Sequence, residues 1–480
     1  MKNKLSQYLE LAGSLNVQYA DIRYEEIQSQ EIRVRNESVD ANRTSTHIGY
    51  GVRVLKQGAW GFSSSDTLHP KSIEETVKQA VQMAEISAKV SSQNIQLAAV
   101  PVVEDIVQSV AQIDPFDVPL HEKIDLLKHS SSLMKIPSVF LREASMSFRK
   151  IHKFFLSTEG SFIEQIRHET GCGITAYAKG DQGDMQNRSY PNAFGGDYST
   201  YGFEFVQQTD LPEHALQCAQ EAVALSNAPL CPSGTKDIII MGNQMALQIH
   251  ESIGHPSELD RVLGSEAAYA GTSYMTLDKK NISQIASTIV DITADATVPG
   301  SFGYFGYDDE GVKAQKVYLL KSGVLVGYLN SRETAFITGD TPMGAMRADG
   351  YWNYPLIRMT SINLLPGNQS LEEMVRDIDD GILFDGIKSW SIDDRRLNFQ
   401  FGTQYGRVIR KGQLQEVVKN PTYVGESPSF WNSCDAIGDE SQYHIYGVPN
   451  CGKGEPGQLM KLSHGASPAR FRNRKVGVIQ

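Results

Sequence analysis

The sequence predicts an α+β fold in which an N-terminal domain of helices and a sheet precedes a mostly β C-terminal domain carrying a candidate metal-binding helix. Three observations predict it. The first half interleaves helical apolar stripes with runs rich in Ile, Val and Tyr. The stretch Asn227 to Thr235, with Pro229, Pro232 and Gly234, has linker composition. Beyond about Ala267 the strand pattern dominates. At 480 residues the chain is too long for one ordinary core. It therefore divides into 1–228, with a sub-boundary near 91–119, and 236–480.

Taken in order, residues 4 to 15 place Leu5, Leu9, Ala12 and Leu15 on one helical face. Asp21 to Arg35 and Thr46 to Leu55 read as strands separated by a polar Asn-Arg-Thr-Ser turn, and Gly58 to Phe62 as a further short strand. A helix starts near Pro70, with Ile73, Val77, Ala80, Ala84 and Ala88 as its stripe. Residues 91 to 119, with Pro101, Pro115 and Pro119, connect to a helix over His121 to Lys135. Strands are expected over Ser138 to Phe148, Lys150 to Thr158 and Ser161 to Ala178, with Glu159-Gly160 as a tight turn. A Gly- and Asn-rich loop from Gly180 to Gly196 and a helix from Pro212 to Leu225 complete the first half.

After the linker, 236 to 242 form an apolar strand, Asn243 can cap a helix, and Met245, Ile249 and Ile253 give that helix a buried stripe. Strands follow at Ile289 to Thr297, Lys316 to Leu320, Val324 to Asn330, Met359 to Leu364, Leu397 to Tyr405 and Gly406 to Arg410. Turns fall at Lys321-Ser322-Gly323 and Lys411-Gly412. Ser370 with Glu373 makes a capping box ahead of one intervening helix.

Composition excludes several classes of function. A net charge of −11 without a long basic run argues against general nucleic-acid binding, and the short basic stretch Arg470 to Lys475 reads as a solvated or packed tail. No apolar run approaches the roughly 20 residues of a membrane span. The N-terminus lacks the h-region of a signal peptide, and five scattered cysteines without a C-x-x-C pair fit a reducing compartment, so a cytoplasmic protein is expected.

The stretch richest in chemistry is His250-Glu251-Ser252-Ile253-Gly254-His255. A zinc site for hydrolysis needs neutral imidazole ligands, an open position for water and a nearby carboxylate base. His250 and His255 offer two ligands and Glu251 the base. The more familiar H-E-x-x-H spacing sets two histidines about 40° apart on a helix, whereas i to i+5 sets them about 140° apart. An i→i+5 bulge in the last turn removes most of that difference. Gly254 permits such a distortion, and Pro256 is expected to push His255 out of regular helix geometry and end the helix there. The plainer reading makes the histidines unrelated polar residues at a helix end. Two histidines are also one ligand short. Cys451, in a glycine-rich loop, His464 and Cys434 are candidates that pattern alone does not rank.

Wider features carry a resemblance. The H-E-S-I-G-H stretch is followed by Glu258 and Asp260, then Asp308-Asp309-Glu310-Gly311. Pro355 to Thr360 and Leu365-Pro366-Gly367 come next, then Asn450 to Gly454 and His464 to Pro468. In this order they resemble the motif-bearing, TldD-like branch of the TldD/PmbA metallopeptidase family. The resemblance implies Zn2+ held by His250, His255 and Cys451, with Glu251 as general base. It also implies unfolded or extended peptide substrates, and a homodimer or a heterodimer with a TldE/PmbA-like paralogue. A non-catalytic assembly or regulatory subunit with a structural zinc site is the alternative, and a zinc amidase acting on non-peptide amides a third. Glu251 favours the peptidase, because a structural site needs no carboxylate beside its ligands.

Overall fold

A computed structural model describes residues 2–91 and 93–477. The elements of the first half are α1 (Lys2–Ser14), β1 (Tyr19–Arg35), β2 (Ser38–Lys56), β3 (Ala59–Ser65), α2 (Pro70–Val90), β4 (Glu104–Val107), α3 (Leu120–Leu133), β5 (Val139–Ser157), β6 (Phe162–Lys179), β7 (Met185–Tyr190), β8 (Asp197–Ser199), α4 (Phe203–Thr209) and α5 (Leu211–Asn227). The strands make one sheet in the order β3-β2-β1-β5-β6-β4, with β7 and β8 also on β6. All its pairings are antiparallel except β4 with β6.

Several boundaries differ from the sequence expectation. The Asn-Arg-Thr-Ser stretch lies within β2, and the hairpin turns instead at Asn36-Glu37, both with positive φ. Asn tolerates that conformation, so two residues suffice for the reversal. The strands expected over 138–148 and 150–158 are one continuous β5, because Arg149 turns inward to pair with Glu169 rather than breaking the alternation. The connection 91–119 holds β4, and the loop 180–196 holds β7.

Period-two alternation along these long strands gives the sheet two different faces. On one face Ala20, Ile22 and Tyr24 of β1 pack with α1 and α2, while Ile32 and Val34 farther along the same strand pack with α3 and α5. The odd-numbered residues point the other way. They include buried Asp21, Arg23 and Glu25, of which Arg23 pairs directly with the second half of the chain. Arg23 lies 3.4 Å from Asp309, Lys153 2.5 Å from Asp309, and Arg53 bridges Asp21 at 2.7 Å and Glu310 at 3.2 Å.

The second half begins with β9 (Gly234–Ile240) and is built on a sheet that closes on itself. Strand Asp380–Ile392 pairs with β9, β9 with Ala469–Gly477, that strand with Thr422–Glu426, and Thr422–Glu426 with Asn398–Arg410, which returns to Asp380–Ile392. Closure removes the exposed edges that an open sheet would present. Ile238 and Ile240 face the main core with Phe384, Phe401 and Tyr423, while Ile239 faces outward against the helix Leu371–Arg376. That helix carries the expected capping box. The strands expected over 397–405 and 406–410 are one, and Arg470 sits in the strand Ala469–Gly477, paired with Asp435 at 2.9 Å, so the basic stretch is packed.

The charge seam between the halves is testable. Arg53→Met leaves Asp21 and Glu310 buried without their shared counter-charge, and a loss of about 3–5 kcal/mol is expected. Thermal unfolding should show a clearly lowered Tm; an unchanged Tm would mean that the seam contributes nothing.

Candidate metal centre

Helix α6 (Gly242–Ile249) leaves β9 with Met241 at its N-cap position. Asn243 is therefore inside the first turn rather than capping it, and its Oδ1 accepts the Gln244 and Gly386 N–H groups. Met245, Ile249 and Ile253 are fully buried on the expected stripe. The helix then widens into a single π turn over His250–Gly254, in which the His255 N–H donates to the His250 carbonyl. This is the i→i+5 step that the motif spacing calls for. A tighter turn, His255–Ser257, follows it.

The surroundings explain why the widened turn persists. Pro256 has no N–H for the Ser252 carbonyl four residues back, and the Tyr274 hydroxyl donates to that carbonyl instead, at 2.7 Å. Trp431 Nε1 donates to Ser252 Oγ at 2.8 Å. A side chain on Gly254 would come within 2.1 Å of Met359 Sδ. One expectation is corrected: His255 keeps helical dihedrals (φ −59, ψ −43), and the helical path ends at Glu258. The π turn itself absorbs the misfit assigned to Pro256.

His250, His255 and Cys451 converge from two distant segments. Their candidate ligand atoms all lie within 4.8 Å of one another, and Cys451 Sγ is 3.7 Å from His255 Nε2. Cys451 is in a strand, His444–Lys453, paired with Gln458–Ala466, and not in the loop expected from its glycines. A register shift between Val448 and Cys451 interrupts the ladder, and Arg358 Nη2 donates to the Cys451 carbonyl at 2.5 Å. Arg358 is thus engaged with backbone. Cys434 lies in another strand, its thiol turned to the Ala436 carbonyl and pushed up by burial.

His464 stands behind His250. Its Nδ1 faces the Ile362 carbonyl at 3.2 Å, which only a donor can do, so its Nε2 is the acceptor for His250 Nδ1–H at 2.8 Å. That chain leaves His250 Nε2 with its lone pair free. His255 Nδ1 likewise donates to Glu258 Oε2 at 2.9 Å and frees its own Nε2. Burial lowers the pKa of His250 and pulls His464 well below its ordinary value, which keeps both imidazoles neutral. Burial opposes ionisation of Glu258 as well, but Lys453 and His255 hold it well below the usual carboxylate range. Lys453 is fully buried among Glu258, Asp260 and Glu266, at 3.4, 2.8 and 3.2 Å. For Cys451, burial pushes the thiol up, and His255 and Arg358 more than offset it, leaving it below its ordinary value.

Glu251 opens onto the same cavity of about 260 Å³ as the three convergent residues, with Arg396 Nη1 donating to its Oε2 at 2.5 Å. Ala193 and Phe194 of the first half form part of the wall, and Phe194 meets Trp390 edge to face at 5.6 Å. Two imidazoles and a thiol that converge beside an open cavity suit a metal with three protein ligands and one free position. The supporting residues Arg396, Lys453 and Tyr274 carry no spacing signal. Glu258, three residues after His255, was the one open to helical reasoning.

Three family models match the chain in order. Residues 20–84 match the PmbA/TldA metallopeptidase domain 1, 113–228 its central domain and 233–473 its C-terminal domain. The chain belongs to the TldD/PmbA family of metallopeptidases. A metalloprotease of Methanothermobacter thermautotrophicus is 30% identical over 461 residues, covering 96% of both chains. A zinc metalloprotease TldD homolog of Saccharolobus solfataricus is 24% identical, covering 98% of this chain and 99% of its own. The crystal structure of TldE from Thermococcus kodakarensis shares the fold, with a TM-score of 0.70, 16% identity and coverage of 99% and 100%. These likenesses support a metallopeptidase role for the TldD/PmbA chain. Among the described residues no helix is long and apolar enough to cross a membrane.

The tautomer chain gives a test. His464→Leu removes the acceptor behind His250, and metal affinity is expected to fall about 10- to 100-fold without loss of the fold. Chelator competition followed by circular dichroism reads both; unchanged affinity would sever His464 from the site.

Proposed function

We propose that this chain is a zinc-dependent peptidase in which His250, His255 and Cys451 hold the metal and Glu251 is the general base. The observation that carries the proposal is the convergence of Cys451 on the two helix histidines beside an open cavity that Glu251 also lines. Zinc bound by such a set supplies a Lewis acid that polarises a peptide carbonyl and acidifies water. Glu251 takes the proton of the attacking water on a carboxylate oxygen and returns it to the departing amine. Arg396 orients that carboxylate through the hydrogen bond from its Nη1 to Oε2. His464 and Glu258 hold the two imidazoles in the tautomers that present Nε2.

Substrates on this reading are unfolded or extended peptides. The cavity wall combines an apolar side, with Phe194, Ile387 and Trp390, and the strand segment Val448 to Gly452, where the ladder is interrupted, which suits an extended chain. The likeness to a TldE fold supports pairing with a second copy or with a TldE/PmbA-like paralogue. Five buried cysteines without a disulfide support a reducing, cytoplasmic setting. The unit boundaries 1–228 and 236–480 belong to the same reading.

Glu251→Gln keeps the site's shape and removes the base. Zinc content is expected to stay at the wild-type level while cleavage of an unstructured peptide falls about 10²- to 10⁴-fold. Full activity in that variant would remove Glu251 from the chemistry and favour a structural metal.

A further inference from the structure

A second cavity, of about 60 Å³, lies in the seam between the halves and shares no lining residue with the metal cavity. Its charges do not balance. Arg149, Lys153, Arg167, Arg347 and Lys461 line it, and Glu25, Asp309 and Asp349 line it from the acidic side. Glu169 stands behind, 3.0 Å from Arg149 and also paired with Arg167. Lys153 pairs with Asp309 at 2.5 Å and Lys461 with Asp349 at 2.8 Å. Five cations thus face four carboxylates, and Arg23 draws on Asp309 as well.

Arg347 is the cation left over. It is 5% exposed, and among the described residues no carboxylate lies within ion-pair distance of it. Nη1 donates to the Lys461 carbonyl at 3.0 Å, Nη2 to the Met359 carbonyl, and Nε has no acceptor among the described residues. Its guanidinium lies 5.3 Å from the Phe305 ring centre, which offers only a weak counter-field. A buried guanidinium without a counter-charge is strongly unfavourable. Burial and the neighbouring Arg167 and Arg358 accordingly pull its pKa down to about 9.

We propose that this seam cavity binds a small oxyanion, a carboxylate or an inorganic group of sulfate or phosphate type, against the Arg347 guanidinium. Such a ligand supplies the missing negative charge beside the guanidinium, and its size matches a space larger than one water needs. Bound there, it ties β1, β5 and β6 of the first half to the segment Arg347–Gly350 of the second. Met359, whose carbonyl Arg347 holds, is also the residue that Gly254 abuts, so the anion braces the floor beneath the π turn.

The test is calorimetric titration of the zinc-loaded full chain with sulfate and, separately, with N-acetylglycine at fixed ionic strength. Saturable binding of one equivalent is expected for at least one of them, weakened about tenfold or more in Arg347→Gln, which corresponds to about 1.4 kcal/mol. Binding of sulfate alone assigns the site to a free inorganic anion; binding of N-acetylglycine extends it to a peptide carboxylate. No saturable binding of either, or equal binding by the variant, overturns the proposal. Should Arg347→Gln fail to fold, a wild-type crystal soaked in selenate decides: an anomalous peak against Arg347 supports the site, and its absence refutes it.

Discussion

One widened helical turn sets the terms for the rest of the centre. With α-helical spacing, side chains five residues apart diverge, and no single ion could meet both His250 and His255. The π turn at His250–Gly254 brings the rings to 4.8 Å between centres. It is an unfavourable piece of backbone in isolation, and the fold meets its demands one by one. The Tyr274 hydroxyl serves the carbonyl that Pro256 cannot, Trp431 anchors Ser252, and Met359 fills the space that a side chain at position 254 would take.

From that turn the dependence spreads outward. Cys451 arrives on a hairpin 196 residues beyond His255, held by Arg358 through its carbonyl, and His464 on the returning strand fixes the His250 tautomer. Both strands of the hairpin therefore act on the same helix, one through a thiol and the other through an imidazole. The Glu258–Lys453 contact ties the third side, because Lys453 is two residues beyond Cys451 while Glu258 is three beyond His255. A metal held across these segments couples its binding to the folding of the whole second half. The first half adds a wall of the cavity through Ala193 and Phe194, and its rigid attachment rests on the buried charges around Asp309 and Glu310.

How much of this was legible in the sequence follows from what each feature depends on. The α+β class, the capping box at Ser370 and the buried stripe of α6 rest on local periodicity and were readable. The i→i+5 turn was readable from the motif spacing and Gly254. The hairpin at Asn36-Glu37 was missed because the polar run that looked like a turn is an exposed strand, and polarity alone does not separate the two. The continuous β5 was split because a half-buried Arg149 reads as a break until its partner Glu169 is known. Closure of the C-terminal sheet, the role of His464 behind His250 and the seat of Cys451 in a strand all depend on contacts between residues far apart in sequence, which no local pattern records. The excess cation at Arg347 is of the same kind.

The central claim is that two helix imidazoles and one strand thiol share a single metal. Zinc K-edge absorption spectroscopy of the purified chain loaded with one equivalent tests it directly. Two imidazole nitrogens, one sulfur and one further light donor are expected around the metal. A shell without sulfur, or with more than one, would contradict it.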